Sequence, residues 1–230
     1  MKILAIDASA KSCSVCVSAE DGLISQYYQK SGLTHSRTLL AMCEDMLKNL
    51  EMKMTDLDGI AVTKGPGSFT GIRIGVAAAK GLAWGAELPL CGVSTLESMA
   101  YNCRDERFII CAVMDARRSQ VYNALFEWNG GKLTRLCEDR AISLENLYNN
   151  AKVSEKTYFL VGDGAELCYN YFLENGLDSV LAPDNIRYQC AQSTAEAAFS
   201  GGTFEDAAIL EPNYIRLSQA ERERLAKMSE

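Results

Sequence analysis

Residues 2–29 read KILAIDASAKSCSVCVSAEDGLISQYYQ, and this stretch decides the fold. The apolar run 2–7 ends in an aspartate, and two strand-like segments, 13–19 and 23–29, lie on either side of Asp21-Gly22. An Asp-Gly pair between alternating apolar segments is a strong hairpin signal. The stretch therefore predicts three consecutive antiparallel strands at the start of the chain.

Helices and strands alternate beyond this meander. Helical periodicity predicts helices over 36–50 and 70–85, and short apolar runs predict strands over 59–63 and 89–93. Ser94 is placed to cap a further helix that ends near residue 102.

Strand signals begin again after the charged segment 104–107, and the pattern of the first half is partly repeated. The predicted strands cover 108–114, 120–127, a segment after the turn 129–131 and a run ending at 162–164; the predicted helices cover 165–175, 192–201 and a charged segment from Ser218. This order predicts an α/β protein of two similar lobes. We place the lobes at 1–104 and 105–230, with the terminal segment packing back on the first lobe.

Composition and charge limit the classes of function that are possible. The 230 residues are 48% hydrophobic and 23% charged, as expected for a globular protein. The formal net charge of −7 disfavours a chain that binds nucleic acid alone, because such proteins need a basic surface to displace phosphate counterions. With no long apolar run and no signal-peptide pattern, the sequence predicts a cytoplasmic protein without a membrane span.

The nine cysteines are irregularly spaced, which disfavours a disulfide framework. Cys13 and Cys16 form a C-x-x-C pair within a predicted strand, and no second pair follows at a distance typical of zinc sites. We interpret the cysteines as buried thiols in a reducing compartment.

Several stretches resemble the TsaB (YeaZ) family. The most specific is 65–73, GPGSFTGIR, which resembles the family's signature loop. The further matching stretches are 7–9, 92–96, 114–118 with 121–122, and 212–216, so that the resemblance spans essentially the whole chain in order. It implies an α/β, two-lobed actin/sugar-kinase/heat-shock-ATPase fold of the ribonuclease H-like type, with mixed sheets flanked by helices.

The resemblance also implies a role. Members of this family are non-catalytic subunits of the machinery that installs threonylcarbamoyl on the adenosine next to the tRNA anticodon. They bind and activate the catalytic subunit TsaD and work with the ATPase TsaE. By resemblance, a homodimer forms through the same surface when TsaD is absent, and tRNA is reached only through the complex.

The histidines that hold a metal in the catalytic relatives have no counterpart in this chain. The matching positions are Thr95 and Met99, and the single histidine, His35, begins an earlier helix as a solvent-facing or capping residue. The sequence therefore predicts no catalytic residue and no metal site. Two other classes are weighed: a glycoprotease-like peptidase acting on the partner, which lacks an activated nucleophile, and a small-molecule kinase, which the turn Ala8–Ser12 disfavours.

Helices 36–50 and 70–85 carry more apolar or small surface than one sheet contact covers. We predict that they form the partner interface, although burial of both in the lobe core is the simpler alternative. The predicted contact residues are Leu39, Cys43, Met46, Leu50, Gly71, Arg73, Gly75, Ala78, Ala79 and Leu82.

The loop at the start of stretch 65–73, which we call the glycine loop, allows two interpretations. It is either a tight turn in which Gly67 adopts a backbone conformation closed to other residues, or an anion site in front of a helix. The candidate nucleotide or anion residues are Asp7, Ser9, Gly65, Gly67 and Ser68. The chain is expected to require no cofactor of its own, with ATP or ADP at the partner interface as the alternative. Arg117 and Arg118 either contact tRNA or phosphate, or pair with the acidic surface.

Overall fold

The opening strands form the predicted meander. This computed structural model describes residues 1–216, and β1 (Lys2–Asp7), β2 (Cys13–Ala19) and β3 (Gly22–Gln29) pair antiparallel in chain order. On the other side of β1 lie the parallel strands β4 (Gly59–Gly65) and β5 (Leu90–Ser94). β1 is therefore the central strand of the first sheet.

Helices connect the parallel strands of the first sheet. α1 (His35–Asn49) joins β3 to β4, α2 (Phe69–Ala86) joins β4 to β5, and α3 (Thr95–Ala100) follows β5. Ser94 caps α3 as predicted, because its hydroxyl accepts a hydrogen bond from the Glu97 amide at 3.3 Å.

The second sheet repeats the arrangement of the first. Its strands are β6 (Ile109–Asp115), β7 (Gln120–Asn129), β8 (Lys132–Arg135), β9 (Arg140–Ser143), β10 (Tyr158–Val161) and β11 (Val180–Leu181), and β9 pairs with β7 beside β8. β6, β7 and β8 form an antiparallel meander, and β10 and β11 extend it in parallel on the other side of β6. The predicted two-lobed α/β fold with mixed sheets is thus confirmed.

The strand period of two divides the core into layers. Ile3 and Ala5 of β1 face the space between the sheets, whereas Leu4 and Ile6 face α1 and α2. α3 and α7 (Ala191–Gly201) fill the space between the sheets, and α4 (Leu144–Lys152) and α5 (Ala165–Glu174) cover the far face of the second sheet. The order of layers is helices, sheet, helices, sheet, helices.

Some elements were not predicted. These are β9 (Arg140–Ser143), α4, β11, α6 (Asp184–Arg187) and β12 (Phe204–Glu205). Four of them are only two to four residues long, too short for a periodic signal. α4 carried a signal that could have been used: Ser143 caps it, and Leu144, Leu147 and Ala151 are buried at helical spacing.

The chain returns to the first lobe at its end. α7 packs against β1 and β2, β12 pairs with β5, and the Asn213 amide donates to the Lys64 carbonyl oxygen at 2.7 Å. Within residues 1–216, the segment from α7 onward therefore packs on the first lobe. The charged helix predicted from Ser218 lies outside the described residues.

Cys13 and Cys16 lie on opposite faces of β2, one in the α1/α2 layer and the other between the sheets. They cannot act as a metal-binding pair. Burial raises the pKa of the Cys13 thiol to about 12, as expected for a packed, unreactive cysteine. Among residues 1–216, no helix is long and apolar enough to cross a membrane.

The packing of α2 can be tested with two glycines of the same helix. A side-chain carbon at Gly71 would overlap the Ala8 carbonyl oxygen, whereas one at Gly81 would meet nothing within 4 Å. We expect Gly71→Ala to lower the free energy of unfolding by about 1–3 kcal/mol. Gly81→Ala, the matched control, should raise it by about 0.5–1 kcal/mol, because alanine is the better helix former. Urea unfolding of both variants measures this, and a shift in the same direction would contradict the assigned packing.

Candidate functional site

A cleft of about 440 Å³ opens between the two lobes. The turn after β1 and the glycine loop line it from the first lobe, and the β6–β7 turn and Asp163 line it from the second. The returning segment 213–216 closes one side. The predicted residues Ser9, Gly67, Ser68 and Arg117 lie in its wall, whereas Asp7, Gly65 and Arg118 do not line it.

Asp7 is buried behind the cleft, with a side chain 1% exposed. Its Oδ1 accepts hydrogen bonds from the Ser9 amide at 2.9 Å and the Ser9 hydroxyl at 2.6 Å. Its Oδ2 is buried without a partner among the described residues. Burial raises the pKa of the Asp7 carboxyl, and the Ser9 hydrogen bonds oppose this only in part.

The glycine loop packs directly on the turn after β1. The Ser68 amide donates to the Ser9 carbonyl oxygen at 2.7 Å, and the Ser68 hydroxyl accepts from the Gly71 amide at 3.2 Å. Gly67 has a φ of 155°, and a side-chain carbon there would overlap the Ser9 carbonyl oxygen. These contacts fit the tight-turn interpretation, and they occupy two amides that an anion at the start of α2 would need.

The second-lobe wall is charged. The Asp115 amide donates to Asp163 Oδ1 at 3.3 Å, and burial together with the nearby Asp115 charge raises the pKa of the Asp163 carboxyl. The Arg117 guanidinium lies 3.8 Å from Asp115 Oδ2. Arg117, Arg118 and Ser119 all have positive φ angles, between 55° and 65°, so a tight left-handed turn projects both arginines into solvent.

The predicted interface residues divide into two sets. The buried set faces the first sheet and consists of Leu39, Cys43, Met46, Gly71, Gly75 and Ala79. The prediction that these six form a partner surface is corrected: an apolar stripe on an amphipathic helix first covers its own lobe. The half-buried residues are Leu50, Ala78 and Leu82, and Arg73 is exposed.

Arg73 is held by two aromatic residues, Phe69 of α2 and Tyr214 of the returning segment. Its guanidinium lies 3.8 Å above the Phe69 ring, and its Nε donates to the Tyr214 hydroxyl at 2.9 Å. Phe69 and Tyr214 themselves pack with ring centroids 4.9 Å apart. Arg73 therefore joins α2 to residues 213–216.

The outward face of α1 and α2 contains residues that the sequence analysis missed. Leu40 is 53% exposed and Trp84 is 85% exposed, and Ala77 and Gly81 lie on the exposed side of α2. Leu40 and Trp84 fall outside the apolar stripe that packs on the sheet. Large apolar residues outside the stripe are the feature of the sequence from which this exposed surface could have been predicted.

The positions that match the relatives' histidines are packed in the core. Thr95 and Met99 are both fully buried. His35 is half-buried, and its Nε2 lies 2.8 Å from the Ala10 carbonyl oxygen. Within residues 1–216, no three His, Cys, Asp or Glu side chains are grouped so that they could hold a metal ion.

Comparison with known proteins agrees over most of the chain. Residues 29–223 match the family model TsaD, described as tRNA N6-adenosine threonylcarbamoyltransferase. The tRNA threonylcarbamoyladenosine biosynthesis protein TsaB of Bacillus subtilis is 34% identical over 96% of both chains. Its namesake from Escherichia coli is 31% identical over 94% of this chain and 95% of its own. The crystal structure of YeaZ from Pseudomonas aeruginosa has a TM-score of 0.74 and 24% identity, covering 93% of this chain and 99% of that one.

The buried charge of Asp7 makes stability depend on pH. The folded-state pKa is raised above 3.8, so stability is lost as the pH rises through that folded value. We expect Asp7→Asn to raise the free energy of unfolding at pH 7 by about 1 kcal/mol or more, because burial disfavours the ionised carboxyl and a neutral amide avoids that cost. The gain should shrink as the pH falls and vanish below 3.8.

Urea unfolding between pH 3 and pH 7 measures the effect. Asp45→Asn, on the exposed side of α1, is the control and should leave the curve unchanged. A loss of stability in Asp7→Asn at pH 7 would show that the carboxylate is needed in the fold.

Proposed function

The chain belongs to the TsaB family, and on that basis we propose that it is a non-catalytic subunit in the biosynthesis of tRNA threonylcarbamoyladenosine. In this proposal it binds and activates the catalytic threonylcarbamoyltransferase TsaD through the outward face of α1 and α2. We define this outward face by Leu40, Ala77, Ala78, Gly81 and Trp84. TsaE completes the machinery, and tRNA is bound only by the whole complex.

The absence of catalytic chemistry is supported by the core around α3. A metal centre needs several donor side chains that converge on an accessible point. Thr95 and Met99 are instead buried in the apolar layer between the sheets, where Met99 packs beside Gly162. A peptidase would need an activated nucleophile, and the His35 ring nitrogen contacts a backbone carbonyl oxygen rather than a hydroxyl or thiol.

Partner binding is supported by the surface that α1 and α2 leave uncovered, and this observation carries the proposal. Leu40 on α1 and Trp84 on α2 are large apolar side chains exposed on adjacent helices. Ala77, Ala78 and Gly81 precede Trp84 on α2, and such small residues let another helix approach closely. Such a surface is typical of helix–helix contact between subunits.

The same face can pair two copies of this chain when the partner is missing. Nucleotide is proposed to bind where the two subunits meet rather than at the glycine loop, where the Ser68 and Gly71 amides are already bonded. The cytoplasm, where tRNA is modified, is the proposed location.

The proposal is tested by reconstitution of threonylcarbamoyl transfer to tRNA from purified TsaD and TsaE, with and without this chain. We expect transfer to require the chain. Leu40→Glu and Ala77→Glu should each reduce transfer at least about tenfold, because a carboxylate buried in an apolar interface costs several kcal/mol.

Leu173→Glu is the matched control, since Leu173 is 59% exposed on α5 of the other lobe. It should leave transfer unchanged. Full transfer by TsaD and TsaE without the chain would overturn the proposed role, and full transfer with Leu40→Glu would overturn the proposed surface.

A further inference from the structure

A groove of about 810 Å³ lies beside the last turns of α2. Trp84 and Ala83 form one side, Leu88 and Pro89 form the end, and segment 205–208 forms the other side. It is separate from the interlobe cleft, with which it shares no lining residue. Its apolar lining and its size suit a protein segment with one or two inserted side chains.

Trp84 is the most exposed large apolar side chain among the described residues, at 85%. The glycines that flank it, Gly81 and Gly85, have no atom within 4 Å of the position a side-chain carbon would take. A partner backbone can therefore come close to α2 on either side of the indole. Tryptophans that become covered in this way often dominate the binding free energy.

The rim of the groove is acidic. Glu87, Glu205 and Asp206 line it, and neither Glu87 nor Glu205 forms an ion pair within residues 1–216. Among the described residues, Lys80 is the one lysine or arginine in the lining, and its Nζ donates to the carbonyl oxygens of Ala208 at 3.1 Å and Leu210 at 2.9 Å.

The end of α2 adds to this negative potential. The carboxyl end of an α-helix carries a partial negative charge, and the last turn of this 18-residue helix has no basic side chain. A ligand that enters beside Trp84 thus meets an apolar wall, free carboxylates and a helix terminus of the same sign. A lysine or arginine next to apolar side chains is complementary to all three.

We infer that the groove binds a basic, apolar segment of the catalytic partner, with an apolar side chain against Trp84 and a cationic side chain at Glu87 and Glu205. The inference rests on the proposed function, because the groove continues the outward face along Ala77, Gly81 and Trp84. A second copy of this chain fits less well, since its net charge of −7 brings mainly carboxylates to an acidic rim.

The test is titration of this chain with the purified threonylcarbamoyltransferase of the same organism, in which calorimetry measures the binding. Trp84→Ala should weaken binding at least about 30-fold, the effect of losing an interface tryptophan. Glu87→Gln/Glu205→Gln should weaken it about fivefold and reduce its salt dependence, because two charge pairs are lost. The control Glu155→Gln/Glu174→Gln, which changes two exposed carboxylates of the other lobe, should leave affinity and salt dependence unchanged.

Leu40→Glu, measured in parallel, separates the two proposals. Wild-type affinity for both groove variants together with a loss of binding in Leu40→Glu would overturn the groove inference and leave the proposed function standing. Failure of the wild-type chain to bind the partner would overturn the proposed function itself. If Trp84→Ala abolishes only the self-association seen by sedimentation, the groove belongs to a second copy and the inference is wrong.

Discussion

The close contact between two backbone turns positions the first lobe's functional surfaces. The Ser68 amide donates to the Ser9 carbonyl oxygen, and Gly67 and Gly71 leave no room for side chains between the two turns. This contact fixes where α2 begins and therefore where its outward face and its carboxyl end lie. The close approach of the two turns is thus sufficient to explain why this loop contains glycines, although the loop resembles a phosphate-binding site. The positions of the cleft wall and of the outward face therefore both depend on the contact between the turn after β1 and the glycine loop.

The two lobes share one arrangement of strands, and the residues around the cleft between them are different in each lobe. Each lobe has an antiparallel meander extended by two parallel strands, and the buried Asp7 carboxyl and the bonded Ser68 amide lie at the first-lobe side of the cleft between them. Between the sheets, Met99 belongs to the apolar core, and Thr95, one turn earlier in α3, is fully buried. The surface proposed for partner binding is the outside of α1 and α2.

Much of the fold could be predicted from the residues, because β1 to β3, α1 and α2 have long, regular patterns and clear turn signals. The short strands β9, β11 and β12 could not, since two to four residues are too few to show a period, and β12 also pairs with a strand far earlier in the chain. Six of the ten predicted interface residues lie on the buried side of α1 and α2, and there is a physical reason for this. Periodicity identifies an apolar stripe, but it does not tell whether the stripe covers the protein's own sheet or a partner's helix. Trp84 lies just outside the stripe, and it is the residue that indicates an apolar surface facing away from the sheet.

The return of α7 to the first sheet has a consequence for how the protein is made. Ile3 and Ala5 enter the chain first, yet the layer that covers them includes α7, which begins only at Ala191. During synthesis, the face of β1 that carries Ile3 and Ala5 is not fully covered until nearly the whole chain has been made. The two lobes are therefore not sequential folding units, and a ribosome that stalls after the second meander would present a half-covered sheet to chaperones and proteases.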